Sequence, residues 1–486
     1  MSSLRNKASK AFAWDLVGNY GGQISYFIIT IFLARLLSPE EFGLVGMSMV
    51  FIAILNVFKD LGFASALIQN PDNTALTYSS VFWVNIIAGA VLTLLVFLAA
   101  PLIGWFYEND QIVIIVRLLS FTFLLSSFNI VQVTILKKGL NFKRLTLIQL
   151  GSMLFSGITA IAAAYWGLGV FSLVIQQLLA ILLSLTLLWK VSEWKPSFDF
   201  SKKEVKKLTG FSVYVFSGQF VNQIFKQLDT LIVGKLFSAA TLGFFSRAES
   251  INSLISKNSV STFNRVFFPV LSAIRDDDER FEKIFLKVLN IVSTISIFLT
   301  GVFFLSGQEL IIFLFGEKWQ PSVAIFEILI IKGFSYPISA MVVNAFFAKG
   351  KSKENFHYGN IRRATLLIQL GIAWIYGFNA FLYAIIGVSI FNWLLNTFFV
   401  HRSLGISFWS QIALVLKPLM VAAILVLMLS YLLPSGFNYL LSITAVLLFS
   451  SGFISYVYFF EKNLVIEIQY YFKAAWNKFG GSLKKR

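Results

Sequence analysis

The sequence predicts an all-α integral membrane protein of about fourteen transmembrane helices, arranged as two pseudo-symmetric six-helix lobes followed by two further helices. Three observations predict it. First, 57% of residues are hydrophobic and only 13% are charged, where a soluble domain carries about a quarter charged residues. Second, stretches of the roughly 20 apolar residues that a spanning helix needs run nearly end to end, separated by short polar breaks, and mean hydropathy is +0.77. Third, the first half of the chain is echoed in the second.

Reading the apolar runs in order places spans at residues 12–36, 42–68, 76–103, 111–136, 145–165 and 168–189, then 209–235, 240–268, 285–306, 322–347, 361–377 and 379–400, and finally 412–433 and 438–460. Each run is long and continuous. An outer-membrane barrel would instead need strands of about 10 residues alternating in polarity.

The echo is positional. GNYGGQI at 18–24 and ARLLSPEEFG at 34–43 return as GQFVNQI at 218–224 and GKLFSAATLG at 234–243, an offset of 243 − 43 = 200. LIQLG at 147–151 returns at 367–371, offset 367 − 147 = 220, as a short insertion in the second half would produce. Both copies begin with a helix running the same way, so the repeats are parallel, related by an axis along the membrane normal. The expected division is a lobe at 1–189, a linker at 190–208 holding the amphipathic run SKKEVKKL, a second lobe at 209–403, two extra helices at 404–461, and a basic interfacial tail at 462–486.

Lys and Arg cluster in alternate loops, among them Lys137, Lys138, Lys143, Arg144, Lys190, Lys195, Lys349, Lys351 and Lys353, whereas the other side carries Glu40, Glu41, Glu108, Asp110, Glu309 and Glu317. The positive-inside rule then puts both termini in the cytoplasm. The net charge of +17 is this topology signal plus attraction to anionic membrane lipids, not a nucleic-acid footprint. With no cysteine, disulfides and thiolate sites are excluded.

Charges at membrane depth are costly and tend to face a polar interior. Lys59 and Asp60 lie in the second span, Lys226 and Asp229 in the seventh, and Arg247, Glu249, Lys257 and Arg265 in the eighth, with Asp15, Arg117, Glu327 and Lys332 elsewhere. On a continuous helix Lys59 and Asp60 point about 100° apart, so at least one should look into a cavity. Lys257 and Arg265, 265 − 257 = 8 residues apart, share a face about 12 Å long and with Lys59 could form a cationic track. Arg247 is a candidate outer gate.

No catalytic, metal or cofactor motif is present: the two histidines, His357 and His401, match no metal-ligand spacing, and no GxxxxGK[ST] loop occurs. The chain is expected not to be an enzyme.

FGLVGMSMVF (42–51), FKDLGFASALIQ (58–69), QLDTLIVGKLFSAATLGFFSRAESI (227–251), FFPVLSAI (267–274) and LFGEKWQPS (314–322) together resemble the Wzx-like polysaccharide-unit flippases of the multidrug/oligosaccharidyl-lipid/polysaccharide exporter superfamily. The resemblance implies a V-shaped bundle in the bacterial inner membrane. It also implies a flippase that turns undecaprenyl-pyrophosphate-linked sugar units toward the periplasm for surface polysaccharides such as O-antigen or exopolysaccharide. Polymerase and export proteins would be its partners, and no cofactor is implied. Lys59, Lys226 and Lys257, then Arg247 and Arg265, match the cationic lining, while Asp60, Asp229 and Glu249 would orient those cations or couple ions. A lipid II flippase and a drug/cation antiporter of the same superfamily are the alternatives. The first helix, with Asp15 and Gln23 but no deep cation, departs from the more basic members.

Overall fold

The computed structural model describes residues 2–433 and 438–461, without the side chains of 2–5, 211, 214–215 and 256–266. No strand occurs among the described residues. The helices are α1 (Ser2–Leu36), α2 (Pro39–Leu55), α3 (Phe63–Gln69), α4 (Ala75–Tyr107), α5 (Gln111–Lys138), α6 (Phe142–Tyr165), α7 (Phe171–Val191), α8 (Lys202–Leu236), α9 (Ala239–Ala273), α10 (Asp278–Leu305), α11 (Gly307–Phe315), α12 (Pro321–Gly333), α13 (Ser335–Ala348), α14 (Ser352–Leu404), α15 (Phe408–Leu432) and α16 (Tyr439–Phe460).

Eleven helical stretches among the described residues are long and apolar enough to cross a membrane. The expected fourteen spans are compatible with this number. α14 runs for 53 residues but is broken at Gly377 (φ 81°, ψ −171°), the residue that separates the expected spans 361–377 and 379–400. α8 and α9, 35 residues each, would be about 53 Å long, ample for about 30 Å of hydrocarbon.

The chain divides into two compact units, Met1–Ser246 and Arg247–Arg486. In the first, α1 packs on α6, α4 on α5, and α7 on both α5 and α6, with α2 against α5 and α8. In the second, α10 is the central post, touching α12, α13, α15 and α16. Around it lies an aromatic core that includes Phe281, Phe285, Trp393, Phe399, Phe449 and Phe453. The two extra helices α15 and α16 belong to that core.

Residues 202–208 of the linker are the opening turns of α8. Ser201 Oγ accepts from Glu204 N at 3.4 Å and starts the helix, and no breaker follows before the seventh span. The rest of the linker is strapped to α4. Trp83 Nε1 donates to Ser197 O (2.8 Å), Ser197 N to Ser79 Oγ (3.0 Å), Ser201 N to Ser80 Oγ (2.9 Å) and Thr77 Oγ1 to Glu204 Oε2 (2.7 Å). Hydrogen bonds from Lys207 and then Thr77 hold the Glu204 carboxyl below the usual range. The tail at 462–486 lies outside the described residues.

The repeat has a physical counterpart inside the first unit. Ser38 caps α2 in a capping box with Glu41, and its counterpart 200 residues on, Ser238, accepts from Thr241 N at 3.1 Å to start α9. The two helix starts then cross at their glycines. A Cβ on Gly43 would lie 1.7 Å from Ala239 O, and one on Gly243 would lie 1.9 Å from Pro39 O. Each glycine therefore meets the partner repeat's helix start, in reciprocal register. At the same end Lys235 Nζ donates to Glu108 Oε1 (2.8 Å), which lowers the Glu108 pKa through the hydrogen bond first and the charge second.

Because both contacts are to backbone, they cannot be relieved by a rotamer change. Gly43→Ala or Gly243→Ala is expected to lower unfolding stability in detergent by about 1–3 kcal/mol. Gly151→Ala, with nothing within 4 Å, should melt like the parent chain.

Candidate functional site

The second span, expected to be a continuous helix over 42–68, is broken at its charged pair. α2 ends at Leu55, a single 3-10 turn covers Asn56–Lys59, and α3 starts at Phe63. Between them Leu61 (φ 50°) and Gly62 (φ 81°) are left-handed. Gly62 is required twice over: by its φ, and because a Cβ there would lie 2.5 Å from Ser212 O on α8. Asp60 Oδ1 accepts from Ala64 N at 2.8 Å, so this carboxylate caps α3. Non-helical backbone at membrane depth is tolerated where protein encloses it or where it lines a cavity, and here it does both. Lys59 and Asp60 are half-buried and line a cavity of about 760 Å³ whose walls all come from the first unit.

For a membrane interior the wall of that cavity holds many polar side chains. Besides Lys59 and Asp60 it is lined by Lys137, Asn129, Gln149 and Gln176. Ser152 Oγ, also in its wall, is buried with no hydrogen-bond partner in the protein. The volume falls within the roughly 300–1,000 Å³ of small-molecule sites.

The second unit holds a cavity of its own, about 580 Å³, lined by Glu249, Lys332, Arg362, Asn252, Gln369 and Asn392 among others. Its wall is a hydrogen-bonded polar network. Arg362 Nη1 donates to Asn396 Oδ1, Asn396 Nδ2 to Ser339 Oγ (3.0 Å), Asn392 Nδ2 to Thr365 Oγ1 (3.0 Å), and the Ser335 and Ser389 hydroxyls are 2.7 Å apart. Gln149 and Gln369, the central residues of the two LIQLG echoes, line the two cavities in turn.

The candidates from the sequence are thus distributed. Lys59 and Asp60 line the cavity of the first unit, and Glu249 lines that of the second. Lys226 and Asp229, one exposed and one half-buried on α8, line neither. Arg247 is half-buried on α9, and its carbonyl accepts from Ser250 Oγ at 2.7 Å. The side chains of Lys257 and Arg265 lie outside those described. Arg117 on α5 stands 5.1 Å over the Phe97 ring, a cation–π contact.

Sequence reasoning missed Arg362, because the span at 361–377 puts it at a helix edge where lysines and arginines snorkel. The glutamines had a usable signal: polar residues at the centre of a repeated apolar motif.

Comparison with known proteins adds the following. The profile of the family described as "Polysaccharide biosynthesis protein" matches residues 32–324. The chain is similar to the teichuronic acid biosynthesis protein TuaB of Bacillus subtilis, 26% identical over 384 residues covering 76% of this chain and 77% of that one. It is also similar to the lipopolysaccharide biosynthesis protein WzxC of Escherichia coli, 24% identical over 371 residues and 75% of each chain. Among solved structures, the lipid II flippase MurJ in an inward closed conformation superposes with a TM-score of 0.72 at 14% identity, covering 93% of this chain and 100% of that one. This last likeness concerns the fold.

The capping bond separates two roles for Asp60. Asp60→Asn keeps the acceptor oxygen and is expected to unfold like the parent, whereas Asp60→Ala should lose about 0.5–2 kcal/mol in denaturant or thermal unfolding. If the two variants unfolded alike, Asp60 would not be holding α3.

Proposed function

This chain belongs to the polysaccharide biosynthesis protein family, as a Wzx-like multi-pass membrane transporter of the multidrug/oligosaccharidyl-lipid/polysaccharide exporter superfamily, and we propose that its cargo is an undecaprenyl-pyrophosphate-linked oligosaccharide. On this reading the cargo passes from the cytoplasmic to the periplasmic leaflet of the inner membrane, and both termini face the cytoplasm. The observation that carries the proposal is a lysine, Lys59, held at a helix break in the wall of a polar cavity within a membrane bundle.

The chemistry explains why such an arrangement is useful. A pyrophosphate and several sugar hydroxyls must cross about 30 Å of hydrocarbon while the polyprenyl tail remains in lipid. Cations supply charge-assisted hydrogen bonds to the pyrophosphate, and amides and hydroxyls replace the water around the sugars. We assign pyrophosphate binding to Lys59, Lys226 and Lys257, with Arg247 and Arg265 in support. Asp229 and Glu249 orient these cations or couple ions, and Asp60 does so in addition to capping α3. The lobes at 1–189 and 209–403 rock about the bound head group, so that access alternates between the two sides. Polymerase and export proteins take the product onward.

A deletion strain complemented with the parent chain, or with Lys59, Lys226 and Lys257 all changed to Gln, tests this. Surface polymer should return only with the parent, and undecaprenyl-pyrophosphate glycan should accumulate in the inner leaflet of the variant strain. Full export by the triple variant would contradict the assignment of these lysines, and unchanged glycans in the deletion strain would contradict the function.

A further inference from the structure

We infer that the lysine-rich end of the first unit carries a separate binding site for the phosphodiester head group of a hydroxylated anionic phospholipid, the chemistry of phosphatidylglycerol. The site is a pocket of about 460 Å³ between the α5–α6 turn and the end of α7, lined by Gln132, Asn141, Arg144, Glu193 and Trp194. None of these residues lines either lobe cavity.

Two features mark it as more than a surface dent. Gln132 is only 1% exposed, yet neither its amide nitrogen nor its amide oxygen has a hydrogen-bond partner in the protein. The Trp194 indole nitrogen is likewise buried and without a partner. Burying an amide with nothing to bond costs about 1–3 kcal/mol on protein scales, so a ligand that satisfied these groups would recover that cost.

The donor set specifies the ligand. Trp194 Nε1–H, Gln132 Nε2–H and the Arg144 guanidinium are donors and suit phosphate oxygens. Gln132 Oε1 and the Glu193 carboxylate accept, so the ligand must also offer hydroxyls. Glu193 repels a phosphate that carries close to two charges at neutral pH, which selects a singly charged diester over free phosphate or a phosphomonoester.

Position agrees with this chemistry. Trp194 is packed edge-on against Tyr78 and Phe82, with ring centroids 6.3 and 5.8 Å away, and tryptophan favours the membrane–water boundary. Lys190 and Lys195 flank the α7 end of the pocket in sequence, and basic residues there attract anionic lipid.

The test is native mass spectrometry of the full chain in detergent, titrated with phosphatidylglycerol, phosphatidylcholine, glycerol phosphate or inorganic phosphate. One phosphatidylglycerol should be retained about tenfold more strongly than phosphatidylcholine, which has the same phosphodiester but lacks the hydroxyls that Gln132 Oε1 and Glu193 would accept from, a loss of the order of one hydrogen bond. Gln132→Leu should abolish the preference, and Arg144→Gln should weaken retention of both lipids about tenfold. Arg144 is exposed, so its substitution leaves the fold intact and keeps the test valid if Gln132→Leu misfolds. Equal retention of the two lipids, unaltered phosphatidylglycerol retention in Arg144→Gln, or displacement of the lipid by millimolar inorganic phosphate would each overturn the inference.

Discussion

Hydrocarbon returns no hydrogen bonds, and every other feature of this chain follows from that constraint. Backbone polar groups must be paired within the protein, which is why the described residues are helical and why the breaks in the helices are informative. Where the second span breaks at 56–62, Asp60 caps the helix that follows and Gly62 fits against the Ser212 carbonyl. The same constraint gathers polar side chains into two open cavities, one in each unit, where they pair with one another or face the space between the helices.

The repeat is likewise a physical device. Duplicating a helix start gives two serine-capped segments, and the glycines at their fifth positions let two backbones approach closely. A side chain at either glycine would hold the helices apart. Gln149 and Gln369 carry the same logic into the cavities. Charge is matched between the two: Lys59, Lys137 and Asp60 line the first cavity, and Lys332, Arg362 and Glu249 the second, two cations and one carboxylate in each.

Much of this was legible in the sequence, because a membrane bundle writes its architecture in hydropathy. The span ends at 136, 165, 189 and 400 fall within a few residues of observed helix ends, and the division at 377 coincides with the left-handed Gly377. Sequence reasoning did less well where conformation is decided by a few backbone angles. The Leu61–Gly62 pair sits in an apolar run that any hydropathy window reads as helix, and the basic 202–208 segment continues α8 because no breaker stops it. Of the candidate site, Lys59 and Asp60 were legible as charges with no plausible lipid-facing position. Arg362 was not, because the expected span begins at 361, where an arginine would snorkel, whereas α14 begins at Ser352 and carries it well inside the helix.

Moving a charged, hydroxylated head group through a protein-lined path is the central claim, and transbilayer movement in a reconstituted system tests it most directly. Vesicles containing the purified chain and a lipid-linked sugar unit would be sampled with a membrane-impermeant glycan-modifying enzyme. Inner-leaflet sugar should become accessible faster with the parent chain than in protein-free vesicles, and the gain should be lost with Lys59→Gln. Movement no faster than in protein-free vesicles, or as fast with Lys59→Gln as with the parent, would contradict the account.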